Sequence, residues 1–207
     1  MKKMTFYVVF ASLFLASCSP NRVQYYEETD IVVTKYNESF DFNNNPTYAM
    51  PDSVVKITDD LVEGEDPHFI REPYNSQIID RIEKNMTALG WSRVDNPELA
   101  SLTLLPVSWT NTTVYYWYDY WCWYYPSYCG WGYDFNDDYM YPDDAYSESF
   151  TTGTLVMSLV DNSPNNIDPT IVWSGVINGL LSGAYSQERA AKGIDQAFEQ
   201  SPYLNNY

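Results

Sequence analysis

The sequence predicts an α+β fold of two layers, a mostly antiparallel sheet with two helices packed on one face. Three observations predict it. The runs Gly153 to Val160 and Ile171 to Ile177 alternate with the period of a strand. The stretches after Pro73 and after Gln187 repeat apolar residues at spacings of three and four, the period of a helix. One sheet face carrying both helices buries both apolar stripes at once.

The elements follow in order. Ile31-Val32-Val33-Thr34 is β-branched and reads as a strand. Asn43-Asn44-Asn45-Pro46 is a turn cluster, after which Thr47-Tyr48-Ala49-Met50 is extended. Residues 58–72 are acidic and irregular. Pro73 opens a helix whose stripe is Ile78, Ile82, Met86 and Leu89, widened by Ile79, with Gly90 placed as its C-terminal cap. Asn96-Pro97 then turns the chain into Leu102–Trp109. There the apolar phase shifts between Leu104 and Leu105, and Pro106 predicts a bulge or an edge strand.

From Gly153, one strand face carries Leu155, Met157 and Leu159, and the other Thr154, Val156, Ser158 and Val160. Ile171, Trp173 and Ile177 are expected on one face of the next strand. The polar loop Asp161-Asn162-Ser163-Pro164-Asn165-Asn166 makes the pair an antiparallel hairpin. The last helix runs from about Gln187 to Gln200, with Ala190, Ala191, Ile194, Ala197 and Phe198 inward and Pro202 ending it.

The N-terminus reads as an export signal. Lys2 and Lys3 precede an apolar stretch of eleven residues, Phe6 to Ala16. A membrane-spanning helix needs about 20 residues, whereas a secretory signal needs about 7–15. The stretch ends in Leu15-Ala16-Ser17-Cys18, which resembles the bacterial lipobox. That resemblance implies cleavage of residues 1–17, a diacylglyceryl group on the Cys18 sulfur and acylation, such as palmitate, of the new amine. Ser19 follows with no Asp, which by analogy with sorting rules implies the outer membrane. Ser19, Pro20, Asn21 and Arg22 lack the acidic run of a surface-export tag, so the domain is expected to face the periplasm. Residues 18–30 are the lipidated Cys and its tether, and residues 31–207 one domain.

Cleavage leaves 190 residues, with nine basic residues against 28 acidic ones. So acidic a surface repels phosphate backbones and excludes nucleic acid as a partner. Apart from Cys18, the cysteines are Cys122 and Cys129, an even pair in an oxidising compartment. A disulfide, two free thiols and a metal pair are the readings; the single His, His68, disfavours a four-ligand metal site.

Five segments resemble DUF4136, a family of bacterial lipoproteins defined by a domain of unknown function. They are Asp41-Phe42 with Thr47-Tyr48-Ala49-Met50, Leu99-Ala100-Ser101-Leu102, Gly153-Thr154-Leu155-Val156 on to Asp161, Ile171-Val172-Trp173-Ser174-Gly175, and Ile194 to Tyr203. The resemblance runs from about Ile31 to Leu204. It implies a fold and a location, and no activity. Met50 stands where the family often has Trp, and residues 110–149 look like an insertion.

Between Tyr115 and Tyr146, sixteen of 32 residues are Tyr, Trp or Phe. Trp117, Tyr120, Trp121, Trp123, Tyr125 and Trp131 form the candidate binding surface, with Asp134, Asp137, Asp138, Asp143 and Asp144 beside them. Three readings stand. The segment packs on the sheet face the helices leave open; or it recognises an envelope protein, peptidoglycan or another glycan through stacking rings; or it is a low-complexity segment.

Asp134-Phe135-Asn136-Asp137-Asp138 has the spacing of a calcium loop, but Tyr139 replaces the turn glycine and Ala145 the closing Glu. No nucleophile pairs with His68, and no phosphate loop, dinucleotide fingerprint or zinc motif is present. The expected function is therefore a non-enzymatic envelope lipoprotein without cofactor or metal, whose aromatic loop serves interaction or structural support. A glycan-binding module is the alternative, and a hydrolase of unknown substrate comes third.

Overall fold

The computed structural model describes residues 31–44, 46–58, 68–109, 153–161, 170–181 and 186–206. Among these residues lie seven strands and two helices. The strands are β1 (Ile31–Tyr36), β2 (Thr47–Ala49), β3 (Val55–Ile57), β4 (Ser92–Arg93), β5 (Leu102–Trp109), β6 (Thr154–Asp161) and β7 (Thr170–Asn178). The helices are α1 (Tyr74–Ala88) and α2 (Gln187–Glu199). One sheet runs β1-β7-β6-β5-β2-β4, with β3 also paired to β5. The three long ladders, β1 with β7, β7 with β6 and β6 with β5, are antiparallel. The short pairings of β2 and β3 with β5, and of β2 with β4, are parallel, so the sheet is mixed.

Both helices pack on one face, as expected. Ile78, Ile82 and Met86 of α1 and Ala190, Ile194, Ala197 and Phe198 of α2 share a core with Leu102, Leu104, Leu155, Met157, Leu159, Trp173 and Ile177. Ala191 is only half-buried; Gly193 takes the inward position, and a Cβ there would meet Ile177 Cγ2 at 2.9 Å. Small size at Gly193 is what lets α2 approach β7 so closely. Trp173 stacks on Phe198 with ring centroids 5.3 Å apart and donates its indole N–H to Ser201 Oγ at 2.8 Å.

The helix ends are tied locally. Glu72 accepts the Ser76 N–H at 3.2 Å, satisfying a free donor of the first turn of α1. Buried Asn75 accepts from Val54 N at 2.8 Å and donates to Asp52 O at 2.9 Å, fixing α1 to the loop between β2 and β3. Gly90 does close α1, at φ +89°, where a Cβ would lie 2.8 Å from Asn206 O. The C-terminal tail seats on that turn: Asn206 N donates to Leu89 O at 2.9 Å and Trp91 Nε1 to Leu204 O at 2.7 Å. Ser186 caps α2 by accepting from Arg189 N.

Two expectations are corrected. Pro106 lies in neither a bulge nor an edge strand. The β5–β6 register is continuous from Leu102↔Asp161 to Trp109↔Thr154, and β5 is interior. On its other edge β2 pairs at Leu102 and Thr103, and β3 at Val107 to Trp109. Pro106 sits in the gap, where no donor is needed on that edge. Nor does Ile171 share a face with Trp173 and Ile177. The register passes from Leu159↔Trp173 to Val160↔Ile171, so Val172 is an extra residue that flips Ile171 to the opposite face.

Candidate functional site

The face opposite the helices is also buried. Val55 and Ile57 of β3, Leu105, Val107 and Trp109 of β5, Val156 and Val160 of β6 and Val176 of β7 form a second apolar cluster, with Ile171 at its margin. The ladders arrange it in rows. Val107 lies beside Val55 and Val156, and Val156 beside Val176. Trp109 lies beside Ile57 and Thr154, and Leu105 beside Ser158. Leu105 and Val107 are 0 % exposed and Val156 1 %, as dry as the helix-covered face.

Exposure returns at the sheet edge. Val33 pairs with Val176, yet it is 36 % exposed, and Ile31 is 59 % exposed. Among the described residues no helix packs on this cluster, whose members are all strand residues. The chain leaves the described residues after Trp109 and re-enters at Gly153, whose N–H donates to Trp109 O at 2.8 Å. Both ends of residues 110–152 therefore stand together at one end of this face.

The polar groups form structural pairs. Arg81 of α1 holds Asp195 of α2 through two guanidinium nitrogens, and Asn85 Nδ2 adds a bond at 2.9 Å. Burial opposes the charge on Asp195, but the bonds from Arg81 and Asn85 outweigh it and hold its carboxyl below the usual range. Arg93 bridges Glu83 at 2.9 Å, Met50 O at 2.8 Å and Asp52. Burial, helped by Glu83, pushes the Tyr48 phenol well above its ordinary pKa, and its hydroxyl has no hydrogen-bond partner among the described residues. Hydrogen bonds from Ser76 and Asn75 hold the Glu72 carboxyl below its ordinary value.

His68 is exposed, and its carbonyl accepts from Lys56 N at 2.7 Å. Among the described residues no three acidic, His or Cys side chains are gathered to hold a metal ion, and no helix is long and apolar enough to cross a membrane. Cys18, Cys122, Cys129, Trp117, Tyr120, Trp121, Trp123, Tyr125 and Trp131 lie outside the described residues, as does the run Asp134 to Asp138. The sequence reading missed that β5 is buried on both sides. The unbroken apolar run of β5, with Val156 and Val160 opposite the inward residues of β6, is the signal of a strand buried on both sides.

A mixed sheet with two helices on one face and a second dry face defines an α+β domain without a visible catalytic cluster among the described residues. The chain belongs to the family described as "Domain of unknown function (DUF4136)", which matches residues 32–203. It is similar to the crystal structure of a DUF4136 family protein from Bacteroides thetaiotaomicron, at 25 % identity and a TM-score of 0.63, over 86 % of this chain and 98 % of that one. Weaker likenesses are to a PelC dodecamer from Paraburkholderia phytofirmans (10 % identity, TM-score 0.42, 86 % and 99 % covered) and a PDZ domain protein from Parabacteroides distasonis (17 % identity, TM-score 0.44, 86 % and 37 % covered). No curated protein matches the chain.

Proposed function

We propose that this chain is an envelope lipoprotein, held to the outer membrane by acylated Cys18 and facing the periplasm, that works by presenting a folded domain and not by catalysis. The carrying observation is the order Lys2-Lys3, an apolar stretch over 6–16, and Leu15-Ala16-Ser17-Cys18. Each buried methylene contributes about 0.8 kcal/mol, so one acyl chain binds reversibly and two or more bind stably. Residues 19–30 separate Cys18 from β1. Twelve extended residues reach at most about 40 Å, enough for the domain to clear the headgroups. The aromatic segment 115–146 then serves as a support or contact element of the anchored domain.

Fractionation of host cells expressing wild type and Cys18→Ser tests this. Wild type is expected in the membrane fraction and the detergent phase, and Cys18→Ser in neither. A Cys18→Ser chain that stays with the membrane through the detergent step would overturn the proposal.

A further inference from the structure

β1 ends the sheet, and its outer edge pairs with no strand among the described residues. Asn37 N donates to Val172 O at 2.8 Å. By the alternation of an antiparallel ladder, Lys35, Val33 and Ile31 therefore also turn their amides toward β7, and Val32, Thr34 and Tyr36 turn theirs outward. At the other end of the sheet, β4 is only two residues long. β1 is six residues long, contains no Pro and pairs with β7 without a bulge. Such an edge is a template for another strand. We propose that the strand it takes is β1 of a second copy of this chain, paired antiparallel about a two-fold axis at Thr34. The inference goes beyond the proposed anchoring and does not depend on it.

The pattern of β1 selects this occupant and this register. A strand paired antiparallel with its own copy closes the assembly as a dimer. With Thr34 opposite the partner's Thr34, Val32 falls opposite the partner's Tyr36. All three outward residues of each copy then meet outward residues of the other, and each pair exchanges both of its backbone bonds. Moving the axis to Val33 sets Tyr36 opposite residue 30, outside β1. Moving it to Lys35 sets two ammonium groups directly opposite each other, which is destabilising.

The same register covers the apolar side chains that the edge leaves in water. On the helix side, Tyr36 stacks on Tyr203 with centroids 3.6 Å apart yet is 42 % exposed, and it gains the partner's Val32. On the second face, exposed Val33 gains the aliphatic stem of the partner's Lys35, whose ammonium group stays in water. The contact is one strand long, about 20 Å. It falls well short of the roughly 800 Å² per partner that a stable interface buries, so the dimer forms as concentration rises and is not obligate.

The test uses the whole purified chain in detergent, with amide exchange followed by NMR at low and high concentration. Val33 and Lys35, bonded to β7, should be protected throughout. Exchange at Val32, Thr34 and Tyr36 should slow several-fold only as concentration rises. Slow exchange at these three amides that does not depend on concentration overturns the proposal, because it assigns the edge to the same chain. Fast exchange there at every concentration overturns it too. The register is read by mixing chains carrying Val33→Cys with chains carrying Lys35→Cys and oxidising them. In the two-fold register these positions face each other with Cα atoms about 4.5 Å apart, within the reach of a disulfide, about 4.4–6.8 Å. The mixture should yield a linked peptide joining positions 33 and 35, identified by its mass, and neither variant alone should link through the introduced cysteine. A 33–33 link, a 35–35 link or no link between folded chains overturns the proposal. If a variant does not fold, exchange in the unaltered chain decides alone.

Discussion

Leu105→Ala is expected to destabilise the domain as strongly as Leu104→Ala, although the two side chains point to opposite faces. Both are 0 % exposed, Leu104 under the helices and Leu105 in the second cluster. Truncating a buried Leu removes three methylene equivalents and leaves a cavity, about 2–5 kcal/mol together. The same-face control is Val33→Ala, which starts from 36 % exposure at the sheet edge. A substitution there should stay within about 0.5 kcal/mol. For a domain of this size 1 kcal/mol moves Tm by about 2–4 °C, so the Leu variants should melt about 4–20 °C lower. Urea unfolding gives the comparison directly, provided the slope m is unchanged. If Leu105→Ala falls with Val33→Ala and not with Leu104→Ala, the second face is wet in solution and the two-sided burial is refuted.

Three further outcomes follow from the polar contacts and the Gly90 turn. Asp195 has its pKa depressed by Arg81 and Asn85, so its contribution is complete above the unfolded value of about 3.9 and is lost as pH falls through the lower folded value. Thermal melts from pH 6 to pH 2 should show a shallower acid decline for Asp195→Asn, and a double-mutant cycle with Arg81→Met should give a coupling of about 0.5–1 kcal/mol at pH 7; a zero coupling removes the helix–helix clasp. Ser201→Ala leaves the buried Trp173 N–H without its acceptor and should cost about 1–3 kcal/mol, read by chemical unfolding with near-ultraviolet dichroism as the probe. Gly90→Ala places a Cβ at φ +89° and 2.8 Å from Asn206 O. It should cost about 1–2 kcal/mol for the left-handed conformation alone and speed hydrogen exchange at Asn206 N–H.

Long elements were legible because periodicity accumulates over their length. The stripe Ile78, Ile82, Met86 identifies α1, and Leu155, Met157, Leu159 identifies the inner face of β6. β3 and β4 were not, since three and two residues carry no period, and their pairing with β5 and β2 is decided by tertiary contact. Val172 shows why a bulge escapes pattern reading: the extra residue leaves composition intact and only reverses the phase at Ile171. At β5 an apparent phase shift at Leu104-Leu105 was the mark of a strand buried on both faces. The apolar run of β5 is visible in the sequence, but which strands lie beside it is not, because β3, β6 and β7 come from distant parts of the chain and no local pattern couples them.

The anchoring claim is met most directly by the intact mass of the chain recovered from its native membrane. A mature polypeptide beginning at Cys18, heavier by a diacylglyceryl group and an amide-linked acyl chain, is the expected species. A chain that still carries Met1, or one that begins at Cys18 with no added lipid mass, would contradict it.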